Sequence, residues 1–218
     1  MPSGRILPLF PLHSVLFPGA VLPLRVFEER YKQLVQHCLE SDRTLGIVLI
    51  RSGSEVGAPA TPFEVGTLAR IIRTDAQQDG KINLAVLGER RFRIRSLVEG
   101  ESYLVGDVEL LADGEASVSS DLIERLRRQF SEYVGTLRQL AHRPAGTVQM
   151  PDGILELSYA VASSLQIPRQ EQQSLLEVPV ADRLEREHEV LRREMVLLRR
   201  LGAVTARRLV TPSELASN

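Results

Sequence analysis

Lys81 follows Gly80, and a Gly-Lys pair is a starting point for phosphate chemistry in a chain with only two lysines, Lys32 and Lys81. A phosphate-binding loop needs G-x-x-x-x-G-K-[ST], with glycines exposing backbone donors and the lysine on the phosphates. Asp75 stands at the first glycine position and Ile82 at the hydroxyl position. The pattern fails, which argues against ATP hydrolysis within this chain. Metal chemistry needs His, Cys or carboxylate clusters at ligand spacing. His37 and Cys38 are adjacent in a helical pattern and point about 100° apart. No two of His13, His37, His142 and His188 lie three or four positions apart. There is no G-x-S-x-G elbow. No catalytic residue, metal or cofactor is therefore expected.

Two positive features remain. Arg91, Arg93 and Arg95 share one face of a strand, with Phe92 and Ile94 on the other. Such a stripe suits RNA phosphate. The competing reading is the solvated face of a half-buried strand, with Glu89, Glu99 and Glu101 nearby in sequence. In the last helical segment Leu184, His188, Leu191, Met195, Leu198 and Gly202 alternate steps of four and three, a heptad seam. Val190, Leu197 and Leu201 widen it, as in a helix that covers its own core.

The elements that would carry these residues fall into two halves. Ile6–Leu12 and Val21–Val26 read as strands joined at Pro18-Gly19, a turn dipeptide. Phe27, Tyr31, Leu34, Val35, Cys38 and Leu39 share one face of a helix over about Glu28 to Glu40. Leu45–Ile50 is a short apolar strand, and Arg51–Glu64 a long loop. Val65–Thr74 and Lys81–Leu87 flank Asp79-Gly80, a hairpin signal. Strands at Arg91–Leu97 and Tyr103–Leu111 follow. Ala112–Ser120 is small and polar and reads as a flexible linker. Beyond it the spacing turns helical. Asp121 with Glu124 resembles a capping box; the pattern breaks over His142–Gly153; helices follow over Ile154–Leu165, after Pro168, and from Pro179 to about Leu201. The expected fold class is α+β: a β-rich pseudo-barrel with one helix over residues 1–113, then a helical bundle over 121–210.

Composition sets outer limits. The chain has 218 residues, 43% hydrophobic and 25% charged, which excludes wholesale disorder. A net charge of −1 argues against a general nucleic-acid coat. A single cysteine, Cys38, allows no internal disulfide and fits a reducing compartment. Ile6–Leu24 is uncharged and approaches the length of a membrane helix, but it carries Pro8, Pro11, Pro18 and Pro23. Prolines obstruct a helix, so a soluble, cytoplasmic protein without a membrane partner is expected.

The order of motifs is similar to a known family. LPLFPLHSVLFPGAVLPLRVFEERY (Leu7 to Tyr31), VGTLARI (Val65 to Ile71), LGERRFRI (Leu87 to Ile94) and LSYAVASSLQIPRQEQQSLLEVPVADRLE (Leu157 to Glu185) resemble successive segments of the amino-terminal substrate-binding domain of Lon proteases. The resemblance implies a PUA-like barrel followed by a helical bundle. Lon proteases continue into an ATPase module and a Ser–Lys protease domain; a chain ending at Asn218 looks like a stand-alone Lon-type domain and not an enzyme. The resemblance also implies recognition of unfolded or exposed polypeptide, and leaves room for a protease or chaperone partner. Phe17, beside Pro18-Gly19, and Phe63, in the long loop, are the candidate polypeptide contacts. The alternative is an RNA-binding PUA-like protein using Arg91, Arg93 and Arg95.

Overall fold

The computed structural model describes residues 4–54, 60–99, 101–114, 118–144 and 148–210, with side chains to residue 200. Seven strands come first, with one helix among them: β1 (Arg5–Leu12), β2 (Val21–Val26), α1 (Glu29–Glu40), β3 (Thr44–Ser52), β4 (Thr61–Pro62), β5 (Val65–Ala76), β6 (Ile82–Val98) and β7 (Leu104–Leu110). Four helices follow: α2 (Ser120–Leu140), α3 (Ile154–Ser164), α4 (Arg169–Glu177) and α5 (Val180–Val210). The α+β class is as expected. Parts of the segments read as loops, residues 55–59, 115–117 and 145–147, lie outside the described residues.

The strands run in the order β1-β7-β6-β5-β3, and parallel pairing of β1 with β3 closes the barrel. β6 makes this possible by changing partners. Its first half pairs with β2 and its second half with β7, while β5 follows both. The two strands read at Lys81–Leu87 and Arg91–Leu97 are thus one. The expected hairpin at Asp79-Gly80 is present, with Gly80 at φ +74°, the left-handed region that suits glycine. Lys81 is a turn residue there, 2.5 Å from Asp79. β1 and β2 do not pair with each other; the chain between them crosses the barrel and returns through Gly19.

Inside the barrel the ring of Phe92, fully buried, fills the space over two glycines. A Cβ on Gly46 or Gly66 would stand 2.7 Å from its Cζ. A second cluster joins the barrel end to α1 through Tyr31, Leu34, Val35 and Cys38. Phe27 is not on that buried face; it is 52% exposed, because the helix starts only after Glu28. The third cluster is helical, but Phe17 and Val65 from the β-rich half belong to it. The two halves therefore share a core.

Ser119, not Asp121, caps α2: its Oγ accepts from the backbone N–H of Leu122. Leu184, Leu191 and Met195 of the heptad seam are buried against the helical core, His188 meets Gln129, and Leu198 packs at the edge. The seam is thus largely internal, while Leu197 is 45% exposed. Gly202 and Leu201 lie where side chains are not described.

Candidate functional site

Where the helical half leans on the barrel, a cleft of about 1140 Å³ remains. One wall is the turn Pro18-Gly19-Ala20 with Glu89 and Arg90 of β6; the other is α2 and α3. Half-buried apolar side chains, among them Leu111, Val134 and Leu155, line it together with Tyr159. The turn is fixed by the backbone. Gly19 N–H donates to Gly88 O at 2.8 Å, Gly88 N–H to Ala20 O at 2.9 Å, and Thr67 Oγ1 to Leu16 O at 2.5 Å. Gly88 is glycine for a steric reason: a Cβ there would stand 2.5 Å from Phe17 O.

Phe17 itself is a correction to the sequence reading. It is 1% exposed and packs into the helical core, so it offers no surface to a ligand and instead anchors the turn whose next three residues line the cleft. Phe63 is half-buried in a separate, smaller cleft of about 270 Å³ that includes Arg51, Arg93 and Glu177.

The arginine stripe is corrected too. Arg93 and Arg95 lie outward at the surface, near Glu64 at 3.6 Å and Glu109 at 3.2 Å. Arg91 is 3% exposed, because the α4–α5 junction covers the sheet face at that point. Its Nη1 donates at 2.8 Å to the carbonyls of Leu176 and Val178. Its Nε and Nη2 meet Asp113 Oδ1 at 2.7 and 2.6 Å. A stripe of three solvated arginines for RNA phosphate is therefore absent.

Asp113 is the residue the sequence concealed, since it reads as one polar position in a linker. It belongs to the cleft lining and joins both halves. Tyr159 of α3 donates its hydroxyl to the same Oδ1 at 2.7 Å. Burial pushes the Tyr159 phenol up to about 12, against the pull of Arg183, so it stays a donor at neutral pH. Behind the ring, 4.1 Å from its centre, lies the guanidinium of Arg183. Arg183 Nε donates to Ser158 Oγ at 2.7 Å, and Ser158 Oγ to Glu187 Oε1 at 2.9 Å. Burial drives the Glu187 carboxyl well above its usual range. A polar chain thus runs from the helical core to the cleft.

Among the described residues no group of three or more His, Cys, Asp or Glu could hold a metal ion, and no helix is long and apolar enough to cross a membrane. The arrangement is a cleft in which apolar side chains alternate with the charged Glu89, Arg90, Asp113, Arg138 and Glu156, a concave surface of the kind that binds ligands.

Residues 6–193 match the family model described as the ATP-dependent protease La (LON) substrate-binding domain. Lon protease 2 of Myxococcus xanthus is 28% identical over 89% of this chain and 24% of its own length. Lon protease 2 of Syntrophobacter fumaroxidans is 33% identical over 80% of this chain and 22% of its own length. The chain thus spans about a quarter of the curated relatives it matches, and the match is confined to their substrate-binding domain. Among solved structures, a Lon N-terminal domain protein from Xanthomonas campestris superposes with a TM-score of 0.64 at 30% identity, covering 84% of this chain and 96% of that one. The N-terminal domain of a Mycobacterium avium complex Lon protease gives 0.61 at 18% identity, over 86% and 98%, a likeness of fold. The chain belongs to the family of the Lon substrate-binding domain, with its PUA-like barrel and appended helices.

Proposed function

We propose that this protein binds extended apolar segments of unfolded or exposed polypeptide in the cleft between the barrel and α2–α3. It acts by binding and not by catalysis, in the cytoplasm, and a protease or chaperone is the partner class that would use the captured segment. The observation that carries the reading is the cleft itself. Its volume suits a stretch of chain, its lining pairs apolar side chains with polar ones that can meet a backbone, and it lies in a domain whose family is described by substrate binding. Leu111, Val134 and Leu155 give the ligand's side chains an apolar surface to cover. Phe63 is a second candidate contact, outside this cleft.

The test is a fluorescence-anisotropy titration with a labelled unfolded polypeptide at low and high salt, beside a labelled RNA. Burial of apolar surface survives added salt, whereas phosphate contacts weaken steeply. Leu155→Asp should weaken the complex about tenfold, the equivalent of ~1.4 kcal/mol, with the fold intact by circular dichroism. Phe63→Ser reports on the second contact. Salt-sensitive RNA binding with no polypeptide binding would reject the proposal.

A further inference from the structure

The charge of Asp113 is balanced, but its hydrogen-bonding capacity is not filled. All its donors converge on Oδ1: Arg91 Nε and Nη2, and the Tyr159 hydroxyl. Oδ2 receives no donor among the described residues, and the carboxylate is 16% exposed in a residue that lines the cleft. An ionised carboxylate has roughly four acceptor sites. The kind of donor that would fit follows from the surrounding charges. Arg91 pairs with the carboxylate directly, and the Arg183 guanidinium lies behind the Tyr159 ring. Two cations already attend one partly buried carboxylate, so a third from the ligand has little to gain. A ligand carboxylate would meet Oδ2 lone pair to lone pair. A neutral N–H fits both conditions. In an extended apolar segment the neutral donor present at every residue but proline is the main-chain amide.

We infer that Asp113 Oδ2 accepts a main-chain N–H from the bound segment. This rests on the polypeptide reading and deepens it: the cleft senses the backbone at one position. Side chains at that position vary freely, and proline is refused there because its nitrogen carries no hydrogen. A ligand held this way is recognised by its extended conformation more than by its sequence.

The experiment uses the full chain and a labelled peptide of leucine, phenylalanine and serine, with a set of copies each N-methylated at one residue. One copy should bind about tenfold to a hundredfold more weakly, as expected for loss of a hydrogen bond to a charged acceptor. Leu→Val at the same position should change little. Asp113→Asn can keep its carbonyl on Arg91 while turning an NH₂ toward the ligand; it should lower the parent's affinity and abolish the N-methyl penalty. Should that variant fold poorly, the series on the unsubstituted chain decides alone. Equal binding by every N-methylated copy overturns the inference and leaves the polypeptide reading standing. Failure of the parent peptide to bind removes that reading, and the inference with it.

Discussion

Arg91 of β6 meets Asp113, three residues past the end of β7, at 2.6 Å, and the same guanidinium holds the carbonyls of Leu176 and Val178. One side chain thus ties the barrel, the connection to α2 and the α4–α5 junction together.

Removing it should be costly. Arg91→Ala leaves Asp113 and two carbonyls without their cation, and breaking a buried pair costs about 3–5 kcal/mol. Arg93→Ala, two residues on and 48% exposed, should stay within about 0.5 kcal/mol. Denaturant titration of both variants checks the order, and equal losses would contradict the assignment.

Glu187 should make stability fall toward alkaline pH. Burial raises its pKa in the folded state, so folding favours the protonated form. That contribution is fully present below the unfolded carboxyl range and is lost as pH rises through the folded pKa. Glu187→Gln mimics the protonated group and should flatten this part of the profile. Urea midpoints at a series of pH values, wild type against variant, provide the measurement; parallel curves would count against it.

Two glycines should respond in opposite directions to alanine. At Gly66 a Cβ would stand 2.6 Å from Ile47 O and 2.7 Å from the Phe92 ring, and overpacking costs about 1–3 kcal/mol. At Gly135, inside α2, nothing lies within 4 Å of the added carbon, and alanine should gain about 0.5–1 kcal/mol. Thermal melts of Gly66→Ala and Gly135→Ala should shift down and up respectively.

Cys38 should be inert in the folded protein. It is fully buried on the inner face of α1, and burial pushes its thiol up to about 12. Thiolate is the reactive form, so a chromogenic disulfide reagent should label it only in denaturant. Prompt labelling of the native protein would mean that α1 opens.

Much of the fold was legible because it is written locally. The Asp79-Gly80 hairpin, the buried stripe of α1 and the start of α4 after Pro168 each follow from neighbours in sequence. The strand around Phe92 was read with the right alternation: Phe92 faces inward and Arg91, Arg93 and Arg95 face away. What alternation cannot tell is that the α4–α5 junction, more than eighty residues later, covers that outer face at Arg91. Phe17 was misplaced for the same reason; an apolar residue beside a turn points wherever the crossing chain directs it, here into the helical core. Asp113 carried no local signal at all, since its role exists only once β6 and α3 converge on it.

The closure of the barrel also dictates an order of events for the nascent chain. Among the described residues β1 pairs with β3 and β7 alone, so residues 5–12 stay half-paired until residues 104–110 have left the ribosome. Such distant pairings slow folding, and an apolar strand waiting with an open edge invites aggregation. Pro8 and Pro11 interrupt that strand's row of backbone donors. They give the unfinished chain a poor template for strangers while it waits for its own last strand.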